Sequence, residues 1–461
     1  MDQATNGRTP AAFATSSDPV QMRAILEHHL RVPGGPPFEV LRCKPSFTRG
    51  RGSRGLFQYD VTLRGADGRE WNEAVSGVAY GRRRTREAWE RLKLADAEGR
   101  HEPHIRRAAY VPELDLLLQV FPFDHKLPAL GPLMAGPLPG LRAPIMARFG
   151  PGDWHLDAWQ SQSIRYRVDL RASVKLTVRA TESRSGCALD RRFYAKVYPA
   201  GNQLERAWTV QQELTAALRV ASEPFGLAPV VAYLPDAGIL VRDEVQGLSL
   251  RHIIRRGDPE KAGDAVRRAA GAIAALHRLP INAPEHRIEL DRTDPARLRR
   301  ATESLRNSRP DLATALAEIE TQILSSLDAI GKVPAVPVHG DLKPLHLLFE
   351  DERVVLLDFD KFAAGEPMLD VTNMLVLLRR EQKTDATLAR VFTEEYFAHV
   401  PAAWEQRLAP HFAWAMLSEA SAFAIGLGKS SAEAKTSRPE KRERNVDILV
   451  EDARAILAGR A

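Results

Sequence analysis

Two carboxylates near three-quarters of the way along the chain could share one reaction. Asp341 closely follows the apolar run Val336-Pro337-Val338, and Asp358 ends the run Val354-Val355-Leu356-Leu357. Between them, Glu350-Asp351-Glu352-Arg353 has the length and polarity of a hairpin turn. Each apolar run reads as a short strand with an acidic group at its polar end, which would hold both side chains on neighbouring rigid elements. Carboxylates placed this way suit one proton acceptor and one metal ligand. Either could instead cap a turn. A third candidate is Lys196, inside the strand-like Phe193-Tyr194-Ala195-Lys196-Val197-Tyr198. A lysine in an apolar strand needs a partner or a route to water. Glu213, placed mid-helix further on, could be that partner; Glu205, at the start of the same helix, is the weaker choice.

The stretch His339-Gly340-Asp341-Leu342-Lys343-Pro344, followed by Leu357-Asp358-Phe359, resembles the catalytic core of the protein-kinase-like superfamily. Its His-Gly-Asp opening is similar to the aminoglycoside phosphotransferase and choline kinase branch. The resemblance covers about residues 160–460 and is strongest over 337–370. It implies Asp341 as catalytic base, Lys343 facing the γ-phosphate, Lys196 paired with Glu213 on the nucleotide phosphates, and Asp358 as a metal ligand. Asp360 would add a direct or second contact to the metal, or cap the following turn. His346 stands where that family carries a metal-binding asparagine. A neutral imidazole serves hard Mg²⁺ less well than oxygen does, so His346 would bind metal poorly, favour Mn²⁺, or be a packed histidine beside Leu345 and Leu347. Asp370, after Gly365-Glu366-Pro367, matches a residue that supports the catalytic loop. Leu240 to Gly247 resembles the hinge segment, where backbone near Glu244 and Val245 would meet adenine. No Gly-x-Gly-x-x-Gly precedes Lys196; the corresponding turn is Asp169-Leu170-Arg171-Ala172-Ser173, where Arg171 and Ser173 could cover phosphates.

The fold expected is α+β: a bilobal protein-kinase-like fold with an antiparallel sheet in the N-lobe and a mainly helical C-lobe, preceded by an extra α+β domain. The activity expected is ATP-dependent transfer of the γ-phosphate to a hydroxyl of a small molecule, such as a sugar, aminoglycoside or amino alcohol, with ATP and Mg²⁺ (or Mn²⁺) as cofactors. The alternative is a nucleotide-binding pseudokinase with a regulatory or scaffolding role, favoured by His346 and by the degenerate first lobe, which has Val78 where the lysine would be. A basic RNA-associated protein is a third possibility.

The elements that must position these residues follow a repeating order. Residues 1–20 read as a frayed tail, and 21–30 as a short helix. Strands are expected from residue 38 and over 55–63 and 71–80, with residues 49–55 as a flexible basic loop. A charged helix over 82–97 and a strand over 114–121 follow. Strands at 163–168, 174–180 and 192–198, a helix over 204–220, and strands at 230–234 and 238–245 repeat that order. Residues 37–140 therefore read as a duplicate of the N-lobe at 155–247, the alternative being two α+β sheets of merely similar composition; as a duplicate it has Val78 where Lys196 stands, so the first copy would not hold a nucleotide in the same way. It would cap the second, or serve a homo-oligomer contact or a protein partner. From 248 to 461 the chain turns helical. Ser249 is a cap, 261–279 is amphipathic, and helices fit 295–305, 311–330, 368–378, 388–399, 402–425 and 446–457. Residues 428–444 read as charged and partly mobile.

Composition narrows the class. In 461 residues, 44% are hydrophobic and 27% charged, and Lys+Arg exceeds Asp+Glu by 65 − 59 = +6. These are values of an ordinary globular chain with room for two or three cores. No basic run interleaved with aromatics points to nucleic acid. Cys43 and Cys187 lack metal-ligand spacing and fit a reducing cytoplasm. The first residues lack the pattern of a signal peptide, and no apolar run reaches the ~18 residues that a membrane span needs.

Overall fold

The computed structural model describes residues 10–51, 54–94, 100–102, 104–220, 223–281, 295–331, 333–382, 386–424 and 439–459. They form two compact units: Met1–Glu205 with Pro229–Glu244, and Arg206–Ala228 with Val245–Ala461.

The first unit opens with helices α1 (Pro10–Ser17) and α2 (Pro19–His29). Asp18 caps α2: its carboxylate accepts the Val20 N–H at 2.8 Å, and Pro19, which has no N–H to satisfy, takes the first turn. Strands β1 (Phe38–Arg51), β2 (Arg54–Gly65) and β3 (Glu70–Ala79), helix α3 (Arg82–Leu94), then β4 (Arg100–Glu102), β5 (Ile105–Arg106), β6 (Ala108–Val111) and β7 (Leu116–Val120) follow. The main sheet has the order β1-β2-β3-β7-β6. Phe57, Tyr59, Val61 and Leu63 alternate along β2 and bury one face, and Met22 and Leu26 of α2 belong to the same core. Short helices α4 (Leu130–Ala135) and α5 (Arg142–Met146) lead to β8 (Trp154–Arg167), β9 (Arg171–Glu182) and β10 (Ala188–Val197). The chain then runs through α6 (Gln203–Val220) and β11 (Phe225–Leu227) before supplying β12 (Val230–Leu234) and β13 (Ile239–Asp243). The second sheet has the order β12-β13-β10-β9-β8. Both sheets thus share one connectivity: three strands in succession, a helix, and a last strand inserted beside the third. The registers agree as well. Val78 lies opposite Leu56 and Leu117, as Lys196 lies opposite Ser173 and Leu240.

Three expectations are corrected here. The segment before residue 20 is helical from Pro10, and Ala12 is buried in the core. Of the loop expected at 49–55, residues 49–51 and 54–55 are strand, with β1 and β2 paired as far as Arg51 and Arg54, and residues 52 and 53 lie outside the described residues. Strand β8 begins at Trp154, well before residue 163. Irregularities at Leu156/Ala158 and Ser163/Arg165 interrupt its period-two pattern, which hid the strand.

The second unit holds a four-stranded sheet, β11-β17-β16-β14, built from β14 (Leu248–Ser249), β16 (Leu347–Glu350) and β17 (Arg353–Leu356), and a two-stranded ladder of β15 (Val336–Val338) and β18 (Ala363–Gly365). Its helices are α7 (Leu250–Arg255), α8 (Pro259–Arg278), α9 (Pro295–Ser308), α10 (Ala313–Ile330), α11 (Met368–Gln382), α12 (Thr387–Ala398), α13 (Leu408–Ala424) and α14 (Pro439–Leu457). Ser249 caps α7 and Asp258 caps α8. The second half of α8, Ala269 to Leu276, is almost wholly buried, which makes it the axis of the core. The helix expected over 402–425 starts as a 3-10 turn, Ala402–Arg407, and becomes α13 only at Leu408. Of the charged stretch at 428–444, the part up to residue 438 lies outside the described residues. Among the described residues, no helix is long and apolar enough to cross a membrane.

Candidate active site

Strand β15 delivers the chain to His339-Gly340-Asp341, and the backbone there is pinned from below. Asp370, in the first turn of α11, accepts the N–H groups of His339 at 2.6 Å and Gly340 at 2.9 Å. Its carboxylate is 1% exposed. Burial alone would raise its pKa, yet His277 at 3.3 Å and the His339 N–H hold it below the usual range. His277 is oriented in turn by the Tyr396 hydroxyl at 2.8 Å. The fully buried His339 ring spans the loop: Nε2 lies 2.8 Å from the Leu357 carbonyl and Nδ1 lies 3.3 Å from the Asp341 N–H. These contacts are consistent when Nε2 carries the proton and Nδ1 accepts. The supporting role expected for Asp370 therefore has a physical form, two charge-assisted hydrogen bonds to the backbone that carries Asp341.

Asp341 lies between two lysines. Lys343 Nζ is 2.5 Å from Oδ2, and Lys361 Nζ is 2.7 Å from Oδ1. Burial opposes ionisation of this carboxyl, but the two ammonium groups outweigh it and push its pKa well below the ordinary carboxylate range. Lys343 came from the motif; Lys361 was missed. It reaches Asp341 because Asp358 turns the chain at φ +67°, in the left-handed region, before a 3-10 turn from Phe359 to Lys361. The only signal was a lysine one place after Asp360.

His346 closes the 3-10 turn that begins at Pro344, and its N–H donates to the Lys343 carbonyl at 2.8 Å. Its ring packs against His339, centroids 5.6 Å apart, and Nε2 lies 3.7 Å from Asp358 Oδ2. Burial lowers its pKa to about 4 despite Asp358, so the ring is neutral at neutral pH. Nδ1 is buried with no hydrogen-bond partner. A neutral ring nitrogen beside a carboxylate, too far apart to hydrogen-bond, is a donor pair that a cation between them would satisfy. Asp360 acts on Arg206 of α6, offsetting the burial that lowers the guanidinium pKa, and Arg206 also donates to the Phe362 carbonyl at 3.1 Å. Nearby, Glu366 is held by Arg407, Nη2 to Oε2 at 2.6 Å, with both side chains buried.

The other candidates lie in the first unit or on α6. Lys196 is next to the last residue of β10, with Nζ 5.9 Å from the Tyr198 ring. Glu213 and Glu205 are on α6. Arg171 opens β9, and Ser173 pairs with Lys196. Glu244 donates its N–H to the Arg192 carbonyl at 3.0 Å, and its carboxylate meets Arg192 Nε at 3.0 Å; Val245 begins the second unit's return segment. Sequence reading missed a cluster at the β8–β9 turn. Asp169, at φ +62°, donates its N–H to Asp124 at 2.9 Å and accepts from the Tyr80 hydroxyl, while Tyr166 also donates to Asp124 at 2.9 Å. Burial, with the Asp124 charge adding to it, raises the Asp169 pKa to about 7. His125 completes a possible ligand cluster with these two carboxylates. Asp124, however, already accepts from Asp169, Tyr166 and the Lys126 N–H at 2.8 Å, which ties up its oxygens.

The loop thus fixes an aspartate between two lysines, next to a carboxylate–imidazole pair. The profile of the phosphotransferase enzyme family, APH, matches residues 176–410, just over half of the sequence, and the chain belongs to that family. A glucosamine kinase of Streptacidiphilus jiangxiensis is 28% identical over 212 residues, which cover 43% of this chain and 44% of that protein, so the chain spans under half of that relative's length. Among solved structures, an amicoumacin kinase in complex with AMP-PNP is 10% identical, with 65% of this chain and 88% of that one covered and a TM-score of 0.42. A choline/ethanolamine kinase family protein from Mesorhizobium loti is 16% identical, with 61% and 85% covered and a TM-score of 0.37.

Proposed function

We propose that the protein is an ATP-dependent kinase that transfers the γ-phosphate to a hydroxyl of a small molecule. The observation that carries this reading is Asp341, ionised, half-buried and fixed between Lys343 and Lys361 on a loop pinned by Asp370. An aspartate there can orient the acceptor hydroxyl and take its proton as the new phosphorus–oxygen bond forms. Its low pKa makes it a weak base, which suits a late proton transfer and gives orientation the larger share of its work. The lysines supply charge where the transferred phosphoryl group accumulates it. Lys343 would turn toward the γ-phosphate, and Lys361 would keep Asp341 ionised. Lys196 would hold the nucleotide phosphates with Glu213 as its partner, Arg171 and Ser173 would lie along them, and backbone near Glu244 and Val245 would meet adenine. A divalent cation, Mg²⁺ or Mn²⁺, supplies charge neutralisation on the phosphates when bound; Asp358 would hold it, with His346 and Asp360 completing the donor set. The neutral His346 ring, 3.7 Å from Asp358, supports that donor set.

We also propose that residues 37–140 are a degenerate duplicate of the N-lobe at 155–247, and that 248–461 is the catalytic C-lobe. The matched strand orders and the equivalence of Val78 with Lys196 support this. The test of the kinase reading is ADP release with a panel of hydroxylated acceptors in Mg²⁺ and in Mn²⁺. Nucleotide binding with no transfer under any condition would contradict it.

A further inference from the structure

Within the first unit, the turn between β8 and β9 is gripped by the first sheet and by the link that follows it. The tip of the turn is Asp169, at φ +62°, a left-handed conformation that a residue with a side chain keeps only when its neighbours hold it there. Asp124 accepts the Asp169 N–H at 2.9 Å and the Tyr166 hydroxyl at 2.9 Å, and Tyr80 donates its hydroxyl to the Asp169 carboxylate. The Ser76 hydroxyl donates to Tyr166 at 3.2 Å, and the Arg167 guanidinium lies 4.3 Å from the centre of the Phe47 ring. Ser76, Asp124 and Val168 are all buried. No glycine occurs between Asp169 and Ser173, so the shape of the turn depends on these contacts.

The surface that the turn meets belongs to the duplication proposed above. Ser76 stands two residues before Val78 on β3, so the two share one face of the sheet, while Val75 belongs to the core on the other face. Val78 is the counterpart of Lys196 in register, so this face corresponds to the one that would hold the nucleotide in the second copy. The turn of the second copy thus occupies, in the first copy, the place of a ligand.

We infer that the first domain positions the nucleotide turn: Asp124 and Tyr80 fix Asp169, and with it the start of β9, from which Arg171 and Ser173 cover the phosphates. This rests on the kinase reading above. Asp124 and Tyr80 are positioning residues, because they act through the turn and not on the nucleotide.

The grip carries a charge condition. Burial, with the Asp124 charge adding to it, raises the Asp169 pKa to about 7, and burial raises that of Asp124 as well. Burial keeps Tyr80 and Tyr166 protonated and lowers the His125 pKa to about 4, so His125 is neutral; the Lys126 charge draws Asp169 down. Below about pH 7 Asp169 holds a proton, and above it two buried carboxylates repel each other at the tip of the turn.

The experiment is calorimetric binding of AMP-PNP and of adenosine to the full-length chain, at about pH 6 and about pH 8. Tyr80→Phe should weaken AMP-PNP about tenfold and leave adenosine unchanged, because the turn meets phosphates and not the base. Asp169→Asn keeps an oxygen for Tyr80 and carries no charge. The ratio of its AMP-PNP affinity to that of the wild type, in which the ligand's own titration cancels, should rise up to about tenfold between the two pH values. Both variants binding AMP-PNP as the wild type does at both pH values would overturn the inference. So would an equal weakening of adenosine and AMP-PNP, which marks a general loss of structure. Failure of the wild type to bind AMP-PNP would overturn the kinase reading itself.

Discussion

Replacing Asp370 with asparagine should uncouple the catalytic loop from its support. The wild-type carboxylate accepts two backbone N–H groups, from His339 at 2.6 Å and Gly340 at 2.9 Å, and faces His277 at 3.3 Å, with 1% of the residue exposed. An asparagine oxygen can keep one of the two N–H groups, but its amide turns a donor toward the other. One buried donor is then unsatisfied, and the remaining bond loses its charge assistance. Leaving a buried donor unpaired costs about 1–3 kcal/mol, and breaking a buried charged network about 3–5 kcal/mol, so about 3–5 kcal/mol of stability should be lost. The activity loss is a separate quantity: a shift of about 1 Å in Asp341 costs on the order of 100-fold in turnover. Urea unfolding and steady-state kinetics on one preparation measure both. Because Asp370 acts on the loop and not on the nucleotide, kcat should fall while KM for ATP changes little. An Asp370→Asn variant with wild-type kcat and wild-type stability would refute the argument that this carboxylate positions Asp341.

Three other outcomes follow from the geometry. Lys361→Met should move the acid limb of the kcat–pH profile upward: Asp341 is active when ionised, its lysine neighbours push its pKa down, and removing one lets the carboxyl protonate at higher pH. His346→Asn should preserve or raise turnover in Mg²⁺ relative to Mn²⁺, since an amide oxygen suits the harder ion; a large loss in both metals would mark a specific need for imidazole. Asp169→Asn should flatten the pH dependence of stability between about 4 and 7, read by urea unfolding. The folded-state pKa of Asp169 is raised to about 7, so its stabilising proton is fully bound below the unfolded value and is lost as pH rises through 7, at roughly 1.4 kcal/mol per unit.

The loop that carries Asp341 was legible in the sequence through its resemblance to a known motif, whose residues lie close together on one strand and one turn. That resemblance named Asp341, Lys343 and Asp358, and Asp370 in the short segment that follows; the structure brings Lys343 to Asp341 and sets Asp370 under His339 and Gly340. Lys361 could not be named, because it reaches Asp341 only through the left-handed conformation of Asp358, which a local pattern does not reveal. Contacts across long separations were equally hidden: Arg407 on Glu366, and His277 with Tyr396 behind Asp370. The doubled strand order was legible as self-similarity, since the β-rich runs keep their period of two. The start of β8 was not, because two irregularities shift its alternation. The Tyr80, Asp124 and Asp169 cluster gave no sequence signal, since its members come from three separate turns of the first unit.

The central claim is that Asp341 performs phosphoryl transfer and does not merely shape the loop. Asp341→Asn keeps the side chain's size and removes its charge and its capacity to take a proton. The measurement is single-turnover transfer from radiolabelled ATP to an acceptor, with ATP affinity determined on the same sample. The account predicts that transfer falls by at least about 100-fold while ATP still binds. Wild-type transfer by Asp341→Asn would contradict it.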